Sequence, residues 1–321
     1  MTRYEIGGCP ACLADEHDVI ADADQIRDEM EQLWAFHTRR LRPDTPADRL
    51  HDRVAFSQDP PLHVVRCQRC GLLYRNPRER VDELVETYRD EQPDEAVLSS
   101  LFQNQCSSYS VQVKRLTKIF GGTGTGLEVG SYIGAFLAAA RQHDWTFTGL
   151  DVNDAANRFA RSRNLDVRSG TIDDASPYTA FDVVAFWNCF DQLPDPRAAA
   201  ITARARIRDG GFLALRVPNG GFYARWRSRL DSPIGLLARS LLAHNNLLAF
   251  PYRHGFTIAS LRALLEASGF RVERVFGDVL VPVADEWTRP WAGAQERLIK
   301  GALKALPPDQ APWLEMYAQA V

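Results

Sequence analysis

The chain has no uninterrupted apolar run of the roughly 18 to 20 residues that a helix needs to cross a bilayer, so no membrane insertion is expected. Met1-Thr2-Arg3-Tyr4-Glu5-Ile6 opens it without the apolar stretch of a secretory leader, which points to a cytoplasmic protein. Charge of one sign is also missing. The formal balance is only -3 and no basic stripe interleaved with aromatics is visible, so a nucleic-acid partner is not expected. Lysine is scarce, standing only at positions 114, 118, 300 and 304, and arginine supplies the remaining positive charge, as codon usage in a GC-rich genome would produce. No Gly-x-Gly-x-x-Gly opens a helix after a strand: Gly121-Gly122-Thr123-Gly124-Thr125-Gly126 has the glycines but reads as a loop before the strand, so no cradle for a dinucleotide pyrophosphate is present. With 321 residues, 45% of them hydrophobic, the chain can bury one large α/β domain and a small accessory one.

What the chain does have is a strand-to-helix turn at Leu127-Glu128-Val129-Gly130-Ser131-Tyr132-Ile133-Gly134-Ala135-Phe136-Leu137, followed by a second strand ending at Gly149-Leu150-Asp151. Two glycines let backbone approach a ligand closely, and a carboxylate at the next strand end can hold a ribose diol. The pair describes a nucleoside site in an α/β sheet. Further along, Phe181-Asp182-Val183-Val184-Ala185-Phe186-Trp187 is a near-continuous apolar run, as expected of a strand buried on both faces.

An acidic residue, a hydrophobe, Gly130, three residues and Gly134 resemble the first motif of class I S-adenosylmethionine-dependent methyltransferases. That family usually has glycine where Tyr132 stands, so a stiffer, bulkier loop is expected here. The later segments keep the family's order: a helix from Asn153 to Arg163, a strand Asp166-Val167-Arg168 leading to Ser169-Gly170-Thr171-Ile172, and the run Phe181 to Trp187 as fourth strand. Asn188-Cys189-Phe190-Asp191-Gln192-Leu193-Pro194-Asp195-Pro196 resembles the family segment with Glu-His before a hydrophobe and Pro-Asp-Pro, but Asp191-Gln192 replaces Glu-His. A helix to Arg208, the turn Asp209-Gly210-Gly211 and a fifth strand Phe212 to Asn219 follow. A late helix is expected from Phe256-Thr257-Ile258 to Ser268-Gly269-Phe270, capped by Thr257 and stopped by Gly269. After it are expected a strand Arg271 to Pro282, a helix Gln295 to Leu306 and a last strand Trp313 to Ala318. The resemblance covers roughly Gly126 to Val321 and implies a Rossmann-like, seven-stranded α/β methyltransferase sheet with S-adenosyl-L-methionine as cofactor.

The resemblance also implies roles. Glu128 orients the loop, Gly130, Ser131 and Gly134 make room for the amino acid moiety, and Asp151 binds the ribose. Val152, Thr171 and Ile172 meet the adenine, although many relatives have Asp at the Thr171 position, and Asn188 faces the methionine portion. A sulfonium methyl is already activated, so transfer needs an aligned nucleophile and a base only if that nucleophile must lose a proton. The candidate bases are His254, which precedes Gly255-Phe256-Thr257, and Asp191; a structural role is open for each.

The cysteines supply the second signal. Cys9-Pro10-Ala11-Cys12 and Cys67-Gln68-Arg69-Cys70-Gly71 can close a tetrahedral thiolate shell around one zinc ion, Zn2+, with Gly71 suited to a tight turn. This resembles a zinc ribbon with an insertion between its knuckles. A pair of redox dithiols, or four unconnected thiols, is the alternative. A helix from Ala23 to Leu41 fills the insertion, with Ile26, Met30, Leu33, Trp34 and His37 as its stripe.

Residues 1–78 are thus expected to form a small zinc-binding module and residues 79–321 the methyltransferase domain, starting with linker helices at Val81 to Tyr88 and Ser107 to Phe120 and a mobile Gln92-Pro93-Asp94 link. The leucine pairs between Pro233 and Pro251 read as one amphipathic helix packed on the sheet. The acceptor pocket is expected between the ends of the fourth and fifth strands and the segment Asn219 to His254, where Arg225, Arg227, Arg229 and His244 lie. Three functions fit: a small-molecule methyltransferase, an RNA or protein methyltransferase whose zinc module presents the macromolecule, and a non-catalytic cofactor-binding protein.

Overall fold

A computed structural model describes residues 4–45, 62–80, 88, 89, 92, 94–175, 179–280 and 286–321. The expected helix at 81–88 falls almost wholly outside these. The chain divides into two compact units, each assembled from separate stretches: Met1–Arg80, Val217–Ala263 and Val275–Glu315 in the first, Val81–Arg216, Leu264–Arg274 and Met316–Val321 in the second. One division thus falls beside residue 78, but the first unit also takes in two later stretches.

In the first unit, β1 (Tyr4–Glu5) pairs antiparallel with β5 (Arg78–Glu79). Strands β2 (His17–Ala21), β3 (His63–Cys67), β4 (Leu73–Asn76) and β11 (His254–Gly255) form a sheet in the order β11-β4-β3-β2. Helix α1 (Ala23–Arg40) starts at a capping box, in which the Asp22 side chain accepts from the Gln25 N–H and the Gln25 side chain accepts from the Asp22 N–H. Its buried face is Ile26, Glu29, Leu33, Phe36, His37 and Arg40. Trp34, expected in the stripe, is 41% exposed, because the face advances by three or four residues per turn and position 34 lies off it. The buried charges on that face are paired. Glu29 accepts from the Ala249 N–H at 3.0 Å and meets Arg227 Nε at 3.2 Å, while Arg40 meets Glu296 at 3.2 Å. Leu33, Val64, Leu73, Phe222, Leu242 and Trp313 belong to one apolar core.

The second unit begins at α2 (Glu95–Phe120), a longer helix than expected. The Asp94 side chain accepts from the N–H groups of Ala96 and Val97, so the expected mobile link ends in an N-cap that extends the helix back by three turns. Gly121, left-handed at φ 85°, ends it. The nucleotide-type half follows as β6 (Thr125–Val129), α3 (Ala135–Arg141), β7 (Thr146–Asp151), α4 (Asp154–Ser162), β8 (Val167–Ser169), β9 (Phe181–Trp187), α5 (Pro196–Arg206) and β10 (Ile207–Pro218). Strand β9 spans the expected residues. Strand β10 starts earlier than expected and absorbs Asp209-Gly210-Gly211 in a register shift between Ile207 and Phe212. With β12 (Phe270–Asp278) and β13 (Trp313–Ala320) the sheet order is β12-β13-β10-β9-β6-β7-β8, and the β10–β9, β9–β6, β6–β7 and β7–β8 pairs are parallel. This is the expected seven-stranded α/β sheet. Phe136 is its aromatic hub, with Tyr109, Phe147 and Trp187 within 5.6 Å between ring centroids.

After β10 the chain forms α6 (Gly220–Arg227) and α7 (Gly235–His244). The single long amphipathic helix expected between Pro233 and Pro251 is therefore corrected: it stops at His244, and Leu236, at 82% exposure, points to solvent while Leu247 and Leu248 are buried beyond its end. Helix α8 (Ile258–Ala267) begins as expected, Thr257 Oγ1 accepting from the Ser260 N–H, and Gly269, left-handed at φ 86°, follows it. Helix α9 spans Pro290–Leu303.

The exit from β10 turns on Asn219. Its side-chain oxygen accepts from the Gly221 N–H at 2.9 Å to cap α6, and its Nδ2 donates to the Ala311 carbonyl at 2.8 Å. Both partners are buried or partly so, hence Asn219→Ala should lower stability by about 1 to 3 kcal/mol, read as a shift of the urea midpoint at unchanged slope.

Candidate functional site

The turn between β6 and α3 is built on three left-handed residues, Gly130 at φ 71°, Tyr132 at φ 46° and Gly134 at φ 74°. Gly130 is required twice over, since a Cβ there would also come within 2.7 Å of Cys189 Sγ. The N–H groups of Gly130 and Ser131 both donate to the Leu150 carbonyl, at 2.8 and 3.0 Å, pinning the turn to the end of β7. Tyr132 occupies a conformation that costs a side-chain-bearing residue roughly 1 to 2 kcal/mol. What holds it there is its N–H, which donates to Asp151 Oδ2 at 2.7 Å. The other Asp151 oxygen accepts from the Asn153 N–H at 2.9 Å, and Asn153 in turn caps α4 through its side chain.

Around this turn stand Glu128, Ser131, Asp151, Val152, Asn188 and Asp191, all in or just beyond the carboxyl ends of β6, β7 and β9. Several of their acceptors are buried and make no hydrogen bond with protein: Glu128 Oε2, the Ser131 hydroxyl, Asn188 Oδ1 and both Asp191 oxygens. Burial raises all three carboxyl pKa values. Glu128 is shifted well upward by burial and then by the neighbouring Asp151 charge, Asp151 is raised by burial against its backbone N–H donors, and burial pushes Asp191 up to about 8. Cys189 is held as a thiol by the same burial and the same three carboxyls, and it donates to the Val129 carbonyl at 2.8 Å.

The third strand end departs from the expected arrangement. Thr171 uses both its N–H and its hydroxyl on Asp174, at 2.8 and 3.0 Å, in a capping turn, and Ile172 beside it is buried. His254 lies in the other unit, where it pairs with Tyr74 in the β11–β4 ladder, is fully buried and packs edge-on to Phe256 at 6.0 Å between centroids. Asn219 likewise belongs to that unit.

Three further residues meet these side chains, two that sequence reasoning passed over and Gln192, which it marked only as a departure from the family. Tyr109, on the buried face of α2, receives a hydrogen bond from Asn188 Nδ2 at 3.2 Å, and its own pKa is raised by burial first and Glu128 second. Arg216 is a buried cation in the otherwise apolar fifth strand, an interruption that was legible. Gln192, standing where the family pattern has His, donates to the Asn188 carbonyl at 2.7 Å and accepts from the Tyr88 hydroxyl at 2.8 Å.

The four knuckle cysteines also meet. Cys9 Sγ lies 3.6 Å from Cys70 Sγ and Cys12 Sγ 3.5 Å from Cys67 Sγ, with all four sulfurs within 4.8 Å of one another. Each knuckle is folded by backbone bonds, Leu13 N–H to Cys9 O at 2.9 Å and Gly71 N–H to Cys67 O at 3.0 Å, with Gly71 left-handed at φ 75°. Cys9 is lowered to about 5, chiefly by its bond with Cys70, whose own thiol is correspondingly raised.

A family model described as a methyltransferase domain matches residues 102–275, more than half of the chain. The chain belongs to this family. The enzyme is an S-adenosylmethionine-dependent methyltransferase. No curated protein matches it. Among solved structures the methyltransferase is similar to a SAM-dependent methyltransferase from Archaeoglobus fulgidus, with 15% identity over 70% of this chain and 100% of that one and a TM-score of 0.47. It is also similar to a possible histamine N-methyltransferase from Thermotoga maritima, with 16% identity over 68% and 91% and a TM-score of 0.44. A plantazolicin methyltransferase in complex with SAH shares 13% identity over 92% of this chain and 98% of that one, with a TM-score of 0.44.

Asp191 gives the methyltransferase a pH signature. Its folded pKa of about 8 lies above the roughly 3.9 of an unfolded aspartate, so the folded chain holds this proton more tightly. The stabilisation is complete below about pH 4 and is lost as pH rises to about 8. Glu128 and Asp151 shift in the same direction, so the diagnostic curve is a difference. The melting temperature of wild type minus that of Asp191→Asn should fall across this range; a constant difference would show that Asp191 is already ionised in the fold.

Proposed function

We propose that the methyltransferase acts on a small-molecule acceptor, with the cofactor held at the Gly130 turn. The observation that supports this most is the cluster of unpaired buried acceptors, Glu128 Oε2, Ser131 Oγ, Asn188 Oδ1 and the Asp191 carboxyl, around that turn. S-adenosylmethionine brings the matching chemistry, an ammonium group, ribose hydroxyls and a sulfonium whose methyl is already activated. In this reading Asp151, with lone pairs beyond those its backbone donors use, accepts from the ribose diol. Gly130 and Gly134 leave room beside the amino acid moiety, and Glu128 and Asn188 face it. Val152 and Ile172 pack against the adenine, and Thr171, tied to Asp174, serves this edge through the turn it caps.

Asp191 is the proton acceptor in this proposal when the substrate is a hydroxyl or amine. A pKa near 8 suits a base working close to neutral pH. His254, a ladder residue in the other unit, is read as holding its sheet. A net charge of -3 without a basic stripe favours a small molecule over RNA.

We further propose that residues 1–78 form a module closed by a structural zinc ion on Cys9, Cys12, Cys67 and Cys70. A tetrahedral shell with Zn–S of about 2.3 Å has sulfur–sulfur edges of roughly 3.8 Å. The observed 3.5 and 3.6 Å fit it with little rearrangement. Unbridged thiols suit a reducing, cytoplasmic setting.

Titration calorimetry with S-adenosylhomocysteine should give micromolar-range binding that Asp151→Ala abolishes, whereas a preference for NAD would refute the cofactor reading. Metal analysis should return about one zinc per chain, the stoichiometry of a single four-thiolate site. Cys67→Ser should lower the melting temperature more than it weakens cofactor binding; a metal-free, fully folded protein with reactive thiols would overturn the zinc proposal.

A further inference from the structure

Two hydrogen bonds of Tyr88 reach the loops on either side of the Gly130 turn. Its hydroxyl donates to Gln192 Oε1 at 2.8 Å, in the loop that follows β9, and its carbonyl accepts from Asn153 Nδ2 at 2.9 Å, in the loop that follows β7. In the sheet the order is β9-β6-β7, so β6 and its Gly130 turn lie between those two loops. A residue bonded to both therefore links the two loops that flank the end of β6. Arg158 of α4 also donates to Gln92 Oε1 at 3.5 Å.

The anchors are not surface side chains that happen to be in reach. Asn153 is buried and already spends its side-chain oxygen capping α4, and its N–H braces Asp151. Gln192 is fixed by its amide, which donates to the Asn188 carbonyl. Both ends of the Tyr88 link are therefore attached to the residues assigned to the ribose and to the methionine portion. We propose that Tyr88 is a strap over the bound cofactor, latched by Gln192, and that the latch must open before the demethylated cofactor leaves. The proposal rests on the reading of the Gly130 groove as the cofactor site. It assigns a use to the residue that replaces the family's His: the Gln192 amide grips Asn188 with its nitrogen and Tyr88 with its oxygen.

A strap of this kind slows release more than it strengthens the ground-state contacts of any one group, so the dissociation rate is the quantity to read. S-adenosylhomocysteine dissociation would be followed by stopped-flow displacement from wild type, Tyr88→Phe, Gln192→Leu, the double variant and Asp151→Ala, with the melting temperature of each free protein recorded alongside. Loss of one hydrogen bond should speed dissociation roughly two- to tenfold in each single variant, and the double variant should be no faster than the faster single, because both remove the same latch. Tyr88→Phe keeps the ring, so the free protein's melting temperature should fall by no more than one lost hydrogen bond accounts for. Unaltered dissociation in Tyr88→Phe, or rate effects that multiply in the double variant, would overturn the strap while leaving the groove intact. Failure of wild type to bind S-adenosylhomocysteine, or normal binding by Asp151→Ala, would instead overturn the groove assignment.

Discussion

The carboxylate of Asp151 is the brace on which the carboxyl edge of the sheet depends. One oxygen holds the N–H of Tyr132 and the other the N–H of Asn153, so a single side chain fixes the turn after β6 and the start of the helix after β7. The turn is strained and the helix is short, at nine residues. Neither would hold its geometry from local propensity alone. By meeting both, Asp151 converts two independent loops into one rigid rim, and Leu150 completes the fastening with a carbonyl that accepts two further N–H groups. A rim fastened in this way is pre-organised, which lowers the ordering cost a ligand would otherwise meet.

Three acids stand on this rim. Glu128, Asp151 and Asp191 lie close enough to one another or to Cys189 to raise its thiol, and Arg216 is the cation that opposes this on Asp191. Burial favours the neutral form of each acid, while a cationic ligand would favour the charged form. In the proposed cofactor site, binding of a cation and ionisation of these acids would favour one another.

Much of this architecture was legible from residue order. Phe181 to Trp187 could be read as a buried strand because it has no polar interruption beyond Asp182, and Gly269 and Thr257 marked their helix by cap chemistry. The cysteine pairs announced their meeting by repetition of one spacing. What sequence did not disclose was mostly nonlocal. Trp34 looked like core because it is large and apolar, yet helix phase excluded it. The Pro233 to Pro251 leucines suggested a single stripe, but Asn245 and Asn246 ended the helix, Asn246 by a left-handed backbone at φ 54°. Gln192 stood out only as a replacement of the family's His, and Tyr88 carries no local signal, since their pairing spans 104 positions.

The discontinuity of the first unit has a consequence for how the protein is made. Its first eighty residues leave the ribosome before Val217 exists, yet Val64 and Leu73 share a core with Phe222, Leu242 and Trp313. At typical synthesis rates the gap between Arg80 and Val217 lasts on the order of ten seconds, during which those apolar faces have none of their later partners. The cysteine knuckles need nothing downstream, since both lie within residues 9–70, and neither do the β2–β3 and β3–β4 pairings. In the proposed zinc module, closure of the thiolate cluster would give the nascent segment one long-range fastening before its hydrophobic core arrives, and the Trp313 strand, made last, completes that core.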